Sequence, residues 1–264
     1  MAYGIAGFSS SGQVGQPSPS IWGDCLNDEL QEQGIGFYIY EPYTRAITLP
    51  NFPGSSSATT TFAYDATLPR VIDISYAPGT TTGNVSFWSE PLGIIAAGSG
   101  QGFWFEINWA PGNVTNTAAA TFLGLTVEAG LENAFLATAT STAAVSNIGF
   151  LQGVGTNGNT LNLVQENGTN AAVILQANVT NSPSVVANGG TAANLTANTF
   201  VKLGLRYDGN QYLYSYVNGV QASKTLVDAT FDQTNPYGFI YNTYSAATSV
   251  TNKVNFVRVA AKAF

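Results

Sequence analysis

Apolar and polar residues alternate one for one through Phe200 to Leu226, FVKLGLRYDGNQYLYSYVNGVQASKTL, where three short runs are parted by Asp208-Gly209 and Asn218-Gly219. A period of two is the period of a β-strand, because successive side chains leave the backbone on opposite sides. Val201, Leu203, Leu205 and Tyr207 therefore share one face and Lys202, Gly204 and Arg206 the other, which predicts a strand with one side in and one side out. An Asn-Gly pair between such runs predicts a type I′ hairpin, since both central positions need positive φ and these residues adopt it cheaply. The segment reads as a β-meander.

The same kind of run recurs along the chain between clusters of Gly, Asn, Pro and Ser. Strands are predicted at Phe37 to Tyr40, Thr60 to Tyr64, Arg70 to Tyr76, Val85 to Trp88, Phe103 to Trp109, Thr121 to Val127, Ile148 to Val154, Leu161 to Gln165, Ala171 to Ala177, Tyr237 to Tyr241 and Val254 to Ala260. Ala134 to Ala144 is ambiguous, its Ala and Leu favouring a short helix and its Thr a strand. Many short strands without a sustained helical period predict an all-β sandwich or jelly roll, and the length suits one such body over residues 36–264. Residues 1–35 are rich in Gly and Ser, carry Pro17 and Pro19, and read as an extended arm with one short helical turn. Asp24 is placed to cap that turn, with Leu26 and Leu30 on one face and Asp28 and Glu29 near its start.

Charged residues make up only 9% of the 264, against roughly 25% in ordinary soluble proteins. Thr, Asn, Ser and Gln must supply most of the wetted surface, which gives little self-repulsion and suits a protein packed against other copies. The net charge is −7, and no Lys or Arg occurs between Arg70 and Lys202, so a surface that neutralises phosphates is not expected and nucleic acid is an unsuitable partner. No apolar run is long enough to span a bilayer, and the N-terminus lacks a basic start and an apolar stretch, so neither a membrane nor a secretory route is expected. Cys25 is the sole cysteine and sits among Asp24, Asp28 and Glu29, which predicts a structural role. The absence of His removes Ser-His-Asp and Cys-His nucleophile systems.

Four constellations could carry chemistry. FWFEINW, Phe103 to Trp109, sets one carboxylate, Glu106, beside Trp104 on the strand's second face. Glucanases that run Glu-x-Asp-x-x-Glu on such a strand use two carboxyl groups; here the positions read Glu106, Asn108 and Pro111, so hydrolysis is not expected and Glu106 reads as solvated or facing an interface. Glu128 and Glu132 flank Gly130 in a predicted loop and read as solvated. Asp65, Asp73, Asp208, Asp228 and Asp232 are dispersed, so no metal or other cofactor is expected. Tyr212, Tyr214 and Tyr216 line one side of a strand, with Tyr237, Tyr241 and Tyr244 as further aromatic surface; sheet packing, protein contact and stacking on a sugar are all open to such a stripe.

GFWFEINW, TFLGLTV, NIGFLQGV, TFVKLGLRYDGNQYLYSYVNG and VNFVRVA, in this order, resemble the concanavalin A-like jelly-roll domains of tailed-bacteriophage virion proteins, and SIWGDCLNDEL resembles the leader that precedes them. The resemblance spans about Ser20 to Ala260 and implies a concanavalin A-like jelly-roll β-sandwich with an N-terminal arm. It further implies a non-enzymatic capsid decoration protein on the head exterior, assembled in the host cytoplasm. Its partners would be the major capsid protein and neighbouring copies of itself, with a trimer as a plausible oligomer. On this reading Ile5, Phe8, Val14, Ile21 and Trp22 of the arm lie on the capsid or an adjacent subunit. A glycan-binding module displayed on the particle, using Tyr212, Tyr214 and Tyr216, is the alternative.

Overall fold

The structure is a computed structural model that describes residues 18–22, 36–41, 54–56, 59–68, 70–77, 82–89, 91, 93–115, 119–127, 136–138, 141–142, 145–153, 158–168, 173–246 and 249–262. Two antiparallel eight-stranded sheets face each other. The first, sheet A, runs β16 (Val220–Leu226), β15 (Tyr212–Val217), β14 (Val201–Tyr207), β7 (Phe103–Ala110), β18 (Val250–Lys262), β4 (Ile72–Ala77) and β3 (Thr59–Tyr64), with β1 (Gly36–Glu41) paired to the end of β18. Sheet B runs β13 (Val173–Gln176), β12 (Leu161–Asn167), β11 (Ser146–Gln152), β8 (Ala119–Val127), β17 (Pro236–Ala246), β5 (Thr82–Trp88) and β2 (Gly54–Ser56), with β6 (Gly93–Ile94) on the start of β17. Strands distant in sequence lie side by side, β7 between β14 and β18 and β8 between β11 and β17. That interleaving is jelly-roll connectivity, as the sequence pattern predicts.

The alternation decides what fills the space between the sheets. Phe103, Phe105, Ile107 and Trp109 of β7 meet Leu203, Leu205 and Tyr207 of β14 and the inward residues of sheet B in one continuous core. Phe87 stacks on Tyr241 at 4.6 Å between ring centroids, and Phe105 leans on Phe239 at 5.2 Å. The Tyr241 hydroxyl is satisfied within the core by Asn252 Nδ2 and Thr243 Oγ1, each at 2.9 Å. Burial pushes its pKa up to about 12 even though those hydrogen bonds pull the other way. Tyr237 and Tyr241, read above as aromatic surface, are thus interior residues at 1% and 0% exposure, while Tyr244 is half-buried.

The hairpin follows its chemistry. Asn218 and Gly219 take φ of 52° and 80°, and Val217 pairs with Val220 across them, so β15 and β16 are joined by the two-residue turn that an Asn-Gly pair favours. Asp208-Gly209 is less compact: only Gly209 has positive φ, and the Asp208 carboxylate holds the loop by accepting from the N–H groups of Asn210, Gln211 and Tyr212.

Among the described residues a hairpin, a 3-10 turn (Val179–Asn181) and two short helices lie off the two large sheets. Leu136–Thr138 (β9) pairs with Ser141–Thr142 (β10), so the ambiguous stretch contains a hairpin. Leu136 closes an apolar patch of Trp88, Ala120, Phe122, Leu151, Val164 and Ile240 on the outer face of sheet B, and its N–H donates to Asn242 Oδ1 at 3.2 Å. Pro183–Ala187 (α2) begins at a Ser182 cap with Pro183 in its first turn. The remaining element, Pro19–Trp22 (α1), lies upstream of the helical turn expected after Asp24; that turn, Cys25, Ile5, Phe8, Val14, Glu128 and Glu132 all fall outside the described residues.

The sealed face of sheet A as candidate functional site

The outer face of sheet A is made by the second side of the alternation: Tyr212, Tyr214 and Tyr216 on β15, Lys202, Gly204 and Arg206 on β14, Trp104, Glu106 and Asn108 on β7, and Arg258 and Ala260 on β18. In register, Glu106 lies opposite Gly204 on one side and Arg258 on the other, with Trp104 and Asn108 as its neighbours along the strand. None of these four carries a carboxyl group.

The α1 turn sits on this face. Pro19 supplies a preset φ at its start, and the Ser18 carbonyl accepts from the N–H groups of Ile21 at 3.1 Å and Trp22 at 3.2 Å. Three attachments hold it. The Ser18 N–H donates to both Glu106 oxygens, at 2.9 and 3.2 Å, and Trp22 Nε1–H donates to Glu106 Oε2 at 2.9 Å. Ser20 Oγ–H donates to the Gly219 carbonyl at the hairpin tip. Ile21 packs into the space over Gly204, where a Cβ would come within 2.4 Å of Ile21 Cδ1. The Arg258 guanidinium lies 4.2 Å from the centroid of the Trp22 ring, within cation–π range. Ile21, Trp22, Trp104, Tyr216 and Ala260 form one apolar cluster with Tyr214 against its side.

This latch corrects two expectations. Glu106 is neither solvated nor at an open interface: it is 0% exposed, because Ser18 and Trp22 cover it. Burial pushes its pKa up; the Ser18 hydrogen bonds, the charge of Lys202 and the Trp22 bond oppose the shift without cancelling it. Nor is β14 buried on one side only: Lys202 and Gly204 are buried as well as Val201, Leu203 and Leu205, and only Arg206 is half-exposed.

The tyrosine stripe is on one side of β15 as the period requires, but its members differ. Tyr216 is 4% exposed beneath the latch, whereas Tyr212 and Tyr214 stay half-exposed with centroids 6.3 Å apart and ring planes at 56°. Lys224 Nζ stands 3.7 Å above the Tyr212 ring and 5.7 Å from that of Tyr214, and the Arg206 guanidinium lies 5.6 Å from Tyr214. The open part of the face is therefore a patch of two aromatic rings and two cations.

Sequence reasoning placed Ile21 and Trp22 on a capsid or a neighbouring subunit; the structure places both on the chain's own sheet. That reasoning gives no functional role to Ser18, Arg206, Lys224 or Arg258. Gly204, a glycine inside a strand, was the available signal, since it marks a close approach by another segment. Among the described residues no group of three or more His, Cys, Asp or Glu converges, and no helix is long and apolar enough to cross a membrane. Asp228 and Asp232 are spent in their own loops, accepting from Thr230 and from Thr234 and Asn235.

No family model matches the sequence, and no curated relative matches it significantly. Solved structures do match in fold. A protein of unknown function from Shewanella oneidensis MR-1 superposes with a TM-score of 0.55 at 11% identity, over 90% of this chain and 94% of that one. The β-glucanase of Bacillus licheniformis gives 0.52 at 13% identity, over 84% and 97%, and the carbohydrate recognition domain of Emp47p gives 0.56 at 9% identity, over 86% and 96%. The chain has a concanavalin A-like jelly-roll fold, shared by lectin domains and glucanases. At these identities the likeness establishes fold alone, and function has to be argued from the site.

Proposed function

We propose that this protein works by adhesion and not by turnover, as a structural component of a tailed-phage particle that decorates the head exterior and holds to the major capsid protein and to neighbouring copies of itself. The observation that carries the non-catalytic part is the fate of Glu106. Glycoside hydrolysis on a sheet of this kind needs two carboxyl groups about 5 to 9 Å apart, one of them free to meet the glycosidic oxygen or a water. Glu106 has Gly204, Arg258, Trp104 and Asn108 around it in the register and gives its oxygens to Ser18 and Trp22. It anchors the latch. The phage assignment is supported by the order of strand motifs and the SIWGDCLNDEL leader, and the sparsely charged surface suits repeated close packing. Many copies on one shell turn modest contacts into avidity. Quantitative mass spectrometry of purified particles tests it: copies in the hundreds fit a head decoration, a handful would move the protein to a tail or fibre, and none would refute the assignment.

A second reading, a glycan-binding module, is favoured by one observation, the half-exposed Tyr212 and Tyr214 rings bordered by Lys224 and Arg206. Aromatic faces stack on sugar rings, and the fold is that of a carbohydrate recognition domain in Emp47p. On this reading a glycan array gives a signal with the wild type that Tyr214→Ala lowers at least tenfold. A blank array at high protein concentration retires it.

A further inference from the structure

The Glu106 carboxyl is not the only polar group buried on this face. Beside that carboxyl lie Lys202 and Asn108, 7% and 1% exposed, directly opposite each other on β14 and β7. The main-chain groups of Lys202 face away from β7: its N–H donates to Asn218 Oδ1 at 2.9 Å and its carbonyl accepts from the Asn218 N–H at 2.7 Å. Lys202 and Asn108 thus form a non-hydrogen-bonded pair, the kind in which facing Cα atoms are only about 4.5 Å apart and side chains stand closest. Asn108 Nδ2 donates to Asn255 Oδ1 at 3.4 Å, which holds the amide on this face. Glu106 projects from the same side of β7 two residues earlier, and the charge of Lys202 acts on it.

We propose that Lys202 and Asn108 join in an intramolecular amide bond, formed once in each folded chain with Glu106 as the proton carrier. Three conditions favour that chemistry: an amine held in a dry site, a carboxamide fixed opposite it, and a carboxyl group able to pass a proton between them. Glu106 takes a proton from the Lys202 ammonium. The neutral Nζ then attacks Cγ of Asn108, the new C–N bond forms, and the bond from Cγ to the departing amide nitrogen breaks. That nitrogen leaves as ammonia with the hydrogen lost by Nζ, and it takes back the proton stored on Glu106, so ammonium departs and the carboxylate is restored. No oxidant, metal or other reactant is consumed.

The burial of Lys202 and Asn108 keeps water from the reacting pair, and burial raises the proton affinity of Glu106. The product ties β14 to β7 and closes the long chain segment between residues 108 and 202, a restraint that acts mainly by limiting the unfolded chain. Such a self-reaction is distinct from turnover and suits a protein that must withstand strain on a particle.

Mass spectrometry of the full folded chain tests the proposal. The wild type is expected to be lighter than its sequence by one ammonia, and a chymotryptic digest to contain a branched peptide joining the Asn108 and Lys202 segments. Lys202→Arg and Asn108→Ala are expected to restore the full mass. Glu106→Gln can still accept from Ser18 and Trp22, so it is expected to keep the fold, checked by circular dichroism, and also to show the full mass. An unmodified wild type would overturn the proposal. So would an ammonia loss that persists in Lys202→Arg, as a succinimide at Asn218-Gly219 would produce.

Discussion

Glu106 spends its carboxyl group on the chain's own N-terminal turn, accepting from Ser18 and Trp22. A buried carboxylate with two N–H donors is stable only while both donors stay, because truncation leaves them unpaired at a cost of about 1–3 kcal/mol. Glu106→Ala is expected to lower stability by about that much and to raise hydrogen exchange at Ser18 to Trp22. In a Lys202→Arg background, where no amide bond forms, Glu106→Gln should retain most of the stability through its remaining acceptor oxygen. The pH response follows from the direction of the shift. A carboxyl whose folded pKa is raised binds its proton more tightly in the folded state, so its favourable contribution is complete below the ordinary carboxylate value and is lost as pH rises to the raised one. Thermal melting of Lys202→Arg relative to Lys202→Arg/Glu106→Gln should therefore fall with rising pH across that window. A difference that rises with pH would contradict the buried, latched carboxyl.

At the scale of elements, α1 acts as a cover whose fit depends on a missing side chain beneath it. Gly204→Leu places carbon where Ile21 Cδ1 lies and presses on the Phe105 carbonyl, 2.9 Å from a Cβ at that position. It is expected to cost about 1–3 kcal/mol by overpacking, and to expose Trp22, read as a red shift of tryptophan emission. Removing residues 1–22 should leave the two-sheet body folded by circular dichroism, with new dye binding at Trp104 and Tyr216. Loss of cooperative melting in that truncation would make α1 part of the folding core instead. Much of this layer was legible in advance. The Asn218-Gly219 turn, the inward face of β7 and the shared side of Tyr212, Tyr214 and Tyr216 follow from local period and turn chemistry. The seat of α1 does not, because Ser18 and Trp22 meet Glu106 across 88 and 84 residues of chain and no local pattern encodes that meeting. Tyr241 is misleading for a related reason: a phenol reads as surface until Asn252 and Thr243 are brought to it. Ala134 to Ala144 was undecided because its residues favour helix and strand about equally, and the hairpin at 136–142 is settled by what Leu136 covers on sheet B.

The whole molecule is a jelly roll whose outer faces are both partly covered by its own chain, by α1 on sheet A and by β9 on sheet B. The cover on sheet A lies over Glu106 and leaves Tyr212, Tyr214, Arg206 and Lys224 at the margin. A body of this kind is suited to contact and endurance, and its catalytic relatives in fold do not make it a hydrolase. The most direct test is reducing-sugar release from a panel of β-glucans by the purified full chain and by the form lacking residues 1–22. No release is expected from either, since uncovering Glu106 supplies no second carboxyl group. Release by either form that disappears in Glu106→Gln would contradict it.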